Sequence, residues 1–159
     1  ACNPQVLLAD EPTTALDVTI QAQVLDLVAE LQRKFNTAML LITHDLGVVA
    51  TVCDEVAIIY AGQIVEYGTK EQIFHHPSHP YTLGLFGAIP EMAGEDEWLH
   101  PIDGLPPDPT KEIAGCAFAP RCRYAAKECF ENSITVSKTA DGHDCACMRI
   151  AAVSAKEGK

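Results

Sequence analysis

Val6-Leu7-Leu8-Ala9-Asp10-Glu11-Pro12-Thr13-Thr14-Ala15-Leu16-Asp17 is the stretch whose reading decides the fold. Apolar residues run straight into two adjacent carboxylates, a proline, two hydroxyl residues and a further Asp. A short apolar run closed by a turn signal reads as a buried strand, central in a parallel sheet. Open parallel sheets bind ligands beyond the carboxyl ends of their strands. Asp10 and Glu11 stand at that end, where two buried unpaired charges would cost several kcal/mol each. A cation is therefore expected beside them, and a Mg-nucleotide has the right chemistry. The plain alternative is a strand that ends in a solvated Asp-Glu-Pro turn. The Thr-Thr-Ala-Leu-Asp that follows, and a Thr43-His44-Asp45 after the next strand, weigh against it.

Outward from this stretch the pattern continues as a β-α-β unit. Ile20, Val24, Leu27, Val28 and Leu31 recur at helical spacing between Val18 and Lys34. Asp17 suits the N-cap, and Arg33 and Lys34 suit the last turn. Asn36 and Thr37 turn the chain into a second buried strand, Ala38 to Ile42, with the right-handed crossover expected of such units. Leu46 to Val52 reads as a short helix. Glu55 to Tyr60 and Ile64 to Tyr67 read as a hairpin turning at Ala61-Gly62-Gln63. Thr69 caps a helix carrying Glu71, Ile73 and Phe74, which Pro77 and Pro80 break. Tyr81 to Ile89 forms another apolar helix. Residues 90–110 are rich in Pro, Gly and acid and read as a linker, and the stretch from Ala151 reads as a frayed helix or tail.

Three of these segments agree in register with one family. Leu8-Ala9-Asp10-Glu11-Pro12-Thr13 resembles the Walker B segment of ATP-binding-cassette (ABC) ATPases. Thr14-Ala15-Leu16-Asp17 resembles their D-loop, and Leu41-Ile42-Thr43-His44-Asp45 is similar to their switch-histidine strand. The resemblance implies an α/β fold, part of a P-loop NTPase cassette: a parallel sheet with flanking helices. ATP hydrolysis needs an in-line water, neutralised phosphates and a group that orients or deprotonates that water. By resemblance, Asp10 holds the hydrated Mg²⁺, Glu11 is the general base, and His44 donates to the γ-phosphate. Asp17, besides capping its helix, communicates across a nucleotide-sandwich dimer.

A second resemblance narrows the family. His79-Pro80-Tyr81-Thr82-Leu83 resembles the segment after the cassette in the peptide and nickel importer subfamily. Gly115-Cys116-Ala117-Phe118-Ala119-Pro120-Arg121-Cys122, Ala126-Lys127-Glu128-Cys129 and Gly142-His143 leading to Ala146-Cys147 resemble it too. This implies transport of oligopeptides or dipeptides, with nickel complexes less favoured. The implied partners are a second ATPase subunit, transmembrane permease subunits and, through them, a peptide-binding protein, at the cytoplasmic face of the membrane. The resemblance divides the chain into a cassette portion (1–90), a linker (91–110) and a Cys-rich region (111–159).

Composition bounds these readings. The 159 residues suffice for one domain with a core, and no apolar run approaches the roughly 18–20 residues that span a bilayer. No basic-then-apolar leader points to secretion. The net charge of −11 argues against nucleic acid, which binds through clustered Lys and Arg. Residues 1–95 carry 3 basic and 12 acidic side chains, residues 96–159 carry 8 and 10, and this shift supports a boundary near Gly94 to Asp108. No G-x-x-x-x-G-K-[ST] loop occurs, nor the family's Ser-Gly-Gly-Gln type signature. The expectation is a C-terminal portion of a longer ATPase, inactive alone. The competing expectation is a metal- or cluster-binding regulatory module with a degenerate cassette remnant. A third, another Walker-type ATPase of chromosome maintenance or repair, fits the Cys-rich tail and the acidity poorly.

Residues 111–150 hold five of the seven cysteines. Cys116, Cys122, Cys129 and Cys147 are separated by five, six and seventeen residues, a donor set for zinc or an iron–sulfur cluster. Disulfides are disfavoured in a reducing compartment, and free buried thiols are the remaining alternative. The subfamily resemblance implies a four-iron four-sulfur cluster, around which the tail would fold and pack on the cassette. Cys145 departs from the subfamily pattern and leaves the fourth ligand open between itself and Cys147, with Cys147 favoured. Cys2 and Cys53 read as small core residues. His143 could serve as a ligand but reads rather as a supporting or surface group, and His75-His76 reads as an exposed helix end rather than a metal site.

Overall fold

The computed structural model describes residues 4–14, 16–89 and 101–157. It divides into two compact units, residues 1–54 and 55–159. The architecture is α/β, with two small sheets and short helices.

In the first unit, β1 (Val6–Asp10) pairs in parallel with β2 (Ala38–Ile42), with Asp10 opposite Ile42. The crossover is α1 (Val18–Phe35), the longest helix described. Asp17 caps it by accepting from the Ile20 amide at 3.0 Å. Asn36, at φ 49°, closes its far end by donating to the Gln32 carbonyl, the left-handed cap that Asn tolerates. Helix α2 (Leu46–Val52) follows β2, capped by Asp45, which accepts from the Val48 amide at 3.1 Å.

The expectation of two buried strands is corrected here. Leu8 is 69% exposed and Leu40 55%, and most of both strands faces solvent. Strands in a parallel sheet lose water only when neighbours and helices cover them. The described residues of this unit give each strand one partner, so neither is central.

The second unit holds a denser core. Strands β3 (Glu55–Tyr60) and β4 (Gln63–Thr69) form an antiparallel hairpin. Its turn has Ala61 and Gly62 both at positive φ, 48° and 77°, the geometry that matches the twist of paired strands. Alternation is clean in β3, where Val56, Ile58 and Tyr60 are buried. Thr69 starts α3 (Lys70–His75) with a full capping box, its hydroxyl and the Gln72 side chain each bonding the other's backbone amide. Pro80 does not break a helix but begins one. It is the first residue of α4 (Pro80–Phe86), where a missing N–H costs nothing.

The Cys-rich region shares this unit. After a 3₁₀ turn (Ala119–Arg121), α5 (Glu128–Glu131) and two short strands, β5 (Ser137–Lys138) and β6 (Asp144–Cys145), the chain ends in α6 (Ile150–Glu157). The sheet order is β3-β4-β6-β5, so the tail adds strands directly to the hairpin. Tyr60, Tyr81 and Phe118 pack with ring centres 4.6–5.5 Å apart, tying β3, α4 and the tail together. The expected linker lies partly outside the described residues. Of its last part, Ile102 and Asp103 present carbonyls to Arg121, at 3.0 and 2.9 Å.

Candidate functional site

The first cluster forms where β1 and β2 end side by side. The Glu11 amide donates to the Ile42 carbonyl at 2.8 Å, which extends the ladder one residue past Asp10. Glu11 then takes φ 43°, a left-handed conformation rare outside Gly, Asn and Asp and a local store of strain. That turn ends the strand's strict alternation immediately after Asp10. It brings the Glu11 carboxylate to His44, with Oε1 3.0 Å from Nδ1. The Thr14 hydroxyl donates to the other oxygen at 2.8 Å. These two bonds, Thr14 first and His44 second, hold the carboxyl below the usual glutamate range.

An ionised carboxylate accepts only, so the proton of this pair sits on His44 Nδ1. A neutral ring then presents Nε2 as a lone pair. Donation from Nε2 to a phosphate therefore requires the imidazolium form. Both side chains are open to solvent, His44 at 78% and Glu11 at 46%. Asp10 is exposed, and its carboxylate makes no hydrogen bond among the described residues. Asp45 is further tied to α1, its second oxygen accepting from the Gln21 side chain at 2.9 Å. Thr14 and Gln21 had no individual role in the sequence reading. Thr14 was legible, since it stands three residues after Glu11 in a turn; Gln21 was not, because its partner lies 24 residues away.

The second cluster is a small cavity of about 20 Å³ among the tail segments. Cys116, Cys122, Cys129 and Cys147 all line it, with His79 and Arg149. Cys145, fully buried on β6, does not. Burial pushes the Cys116 and Cys122 thiols up and Cys147 up to about 11. The backbone prepares this convergence: the Cys116 amide donates to the Cys129 carbonyl at 2.8 Å. Gly115 permits it, because a β-carbon there would collide with that same carbonyl and with the Phe130 backbone. Among the described residues, no three His, Cys, Asp or Glu side chains form a group that could hold a single metal ion. Cys53 is half-buried rather than a core residue, and Cys2 lies outside the described residues.

His143 is buried, not at the surface. Its Nε2 stands 2.8 Å from Glu66 Oε1, and both side chains are fully enclosed. The Thr139 hydroxyl meets His143 Nδ1 at 2.9 Å. Glu66 also accepts from the Ser78 and His79 amides at 2.6 and 3.2 Å. A buried carboxyl group with this many partners is satisfied. The network joins β4, the start of α4 and the tail, a long-range arrangement that local pattern could not reveal.

Residues 65–129 match the family described as the oligopeptide/dipeptide transporter, C-terminal region. Over most of its length the chain is related to the ATP-binding subunits of oligopeptide and dipeptide transporters. It is 57% identical to the oligopeptide transport ATP-binding protein OppD of Haemophilus influenzae over 128 residues, 80% of this chain and 40% of that protein. It is 56% identical to OppD of Bacillus subtilis over 145 residues, 90% of this chain and 40% of the relative. With the dipeptide transport ATP-binding protein DppD of Bacillus subtilis it shares 57% over 121 residues, 76% and 36% of the two chains. The chain thus spans about 40% of the length of the curated relatives it matches. Among the described residues no helix is long and apolar enough to cross a membrane.

Proposed function

We propose that this chain is the C-terminal portion of the ATP-hydrolysing subunit of a peptide importer of the ABC type. The observation that carries the proposal is the Glu11–His44 pair at the ends of two adjacent parallel strands, next in sequence to Asp10, whose carboxylate makes no hydrogen bond among the described residues. Glu11 is the general base, already ionised and aimed by Thr14 and His44. Asp10 takes the hydrated Mg²⁺, which needs only one or two carboxylates. His44, as imidazolium, meets the γ-phosphate, and Asp17 faces the second ATPase subunit of a nucleotide-sandwich dimer. Residues 1–90 belong to the cassette, 91–110 connect, and 111–159 form the Cys-rich region. The working protein sits peripherally on the cytoplasmic face of the membrane, against permease subunits fed by a peptide-binding protein.

The 159 residues contain no phosphate-cradling loop, so they should not bind ATP appreciably alone. Titration calorimetry on this chain is expected to show no ATP binding, and micromolar affinity would overturn the fragment reading. In the full-length protein, Glu11→Gln should retain ATP while losing turnover by about 10²–10⁴-fold, the range for a positioned base. Hydrolysis at the parental rate would remove Glu11 from the role of base.

The four thiols are further proposed to hold a four-iron four-sulfur cluster. Tetrahedral zinc at about 2.3 Å per bond would draw four sulfurs to within roughly 4 Å of one another. Here four cysteines line one cavity, yet none of the described groups is set for a single ion. What supports the reading is the donor set alone, four thiols lining one cavity, since each thiolate of such a cluster binds a different iron. The space of about 20 Å³ takes one water-sized body, so the four segments must spread to admit a cluster. Iron and acid-labile sulfide in the anaerobically purified protein are the expected analysis; zinc in place of iron, or neither metal, would sink this part.

A further inference from the structure

The turn that carries His44 is held from both ends, and one of its bonds reaches back to α1. Upstream, the Ile42 carbonyl accepts from the Glu11 amide at 2.8 Å. Around His44 itself, the Asp45 amide donates to the Thr43 hydroxyl at 3.1 Å, which closes the turn. Downstream, Asp45 uses both carboxylate oxygens. Oδ1 accepts from the Val48 amide at 3.1 Å and starts α2. Oδ2 accepts from Gln21 Nε2 at 2.9 Å. Gln21 is half-buried at the start of α1, and its backbone amide donates to the carbonyl of the N-cap Asp17 at 2.9 Å. The Gln21 bond first, and the Val48 amide second, hold the Asp45 carboxyl below the usual aspartate range. An ionised carboxylate only accepts, so Gln21 presents its NH₂ and not its carbonyl, and a bond of this kind is of the stronger, charge-assisted class. The His44 ring has one hydrogen-bond partner among the described residues, Glu11. Where its other nitrogen stands therefore depends on the backbone of this turn.

We infer that Gln21 is a positioning residue for His44: through Asp45 it ties the turn that carries the imidazole to α1, and so fixes where that ring meets the γ-phosphate. The inference rests on the ATP-hydrolysis reading given above. On that reading α1 begins at the Asp17 that faces the second subunit. The same Gln21 side chain then joins the dimer-facing end of the helix to the phosphate-facing turn. Without the donor, Asp45 keeps its cap of α2 but loses its link to α1, and the His44 backbone is free to shift. Small misplacements of this kind are enough to slow a positioned reaction.

The test is steady-state phosphate release by the full-length protein. Gln21→Met keeps the length of the side chain and removes the donor. It should lower kcat about 10–100-fold and leave the KM for ATP unchanged, the pattern of an interaction that matters in the transition state. Gln21→Lys, which restores a donor to Asp45, should recover most of the rate. In a His44→Ala background, Gln21→Met should cause no further loss, because residues that act as a unit are non-additive. A Met variant at the parental rate, a Lys variant as slow as the Met variant, or losses that multiply in the His44→Ala background each overturn the inference. A Met variant that fails to fold makes the contact a purely structural one and overturns it too. Parental protein without ATP turnover, or a His44→Ala variant at the parental rate, overturns the underlying reading itself. The two failures are thus told apart by the parent and the single His44 variant.

Discussion

Single residues in this chain are set by a few hydrogen bonds each, and that makes them testable. Asp17 offers one side-chain acceptor to the first turn of α1, so Asp17→Ala should cost about 1 kcal/mol, read as a lower urea midpoint. His79 is 1% exposed, and burial lowers its pKa from 6.5 to about 4. Its Nδ1 accepts from the Tyr81 amide at 3.1 Å, so the neutral ring carries its proton on Nε2. Because the unfolded chain binds this proton more readily, stability is complete above pH 6.5. It is lost as the pH falls from about 6.5 towards 4, by about 3 kcal/mol across the window. Thermal melts of the metal-free protein between pH 7 and 4 should fall along that course, and His79→Gln should flatten it. A parent whose stability is level over this range would contradict the assignment.

At the scale of elements, the Glu66–His143 pair pins the tail to β4. Both side chains are wholly enclosed, so removing one partner strands the other in a water-free site. His143→Ala should cost about 3–5 kcal/mol, measured by denaturant unfolding, whereas a solvated pair would cost under about 1 kcal/mol. Gly68 belongs to the same contact. A β-carbon there would stand 2.7 Å from the His143 β-carbon and 2.9 Å from Gln72 Oε1. Gly68→Ala should therefore cost about 1–3 kcal/mol by overpacking. Hydrogen exchange should then show faster opening of β6 than of β3 if strand pairing between tail and hairpin is what the change loosens.

For the whole molecule, the sequence was most legible where contacts are local. Val6–Asp10, Ala38–Ile42 and Glu55–Tyr60 could be bounded to the residue, because apolar runs, caps and turn residues are adjacent in the chain. The Glu11–His44 hydrogen bond was not foreseen, but the parallel pairing of β1 with β2 followed from the β-α-β reading. The degree of burial did not, since periodicity reports which face is apolar and not what covers it. Strands β5 and β6 are two residues each, too short for any alternation to register. The four cysteines were foreseen as a set, but not that His79 and Arg149 line the same cavity, because that depends on tertiary approach. The choice of Cys147 over Cys145 as a ligand was made on resemblance; Cys147 lines the cavity and Cys145 does not.

The claim on which the account turns is that Glu11 and His44 work as one unit in ATP hydrolysis. Its most direct test is a double-mutant cycle on the full-length protein, with phosphate release measured for Glu11→Gln, His44→Ala and both together. Residues that act as a unit are strongly non-additive. The account predicts that the double variant is no slower than the slower single variant, while ATP binding persists in all three. Rate losses that multiply in the double variant would show two independent residues and would contradict it.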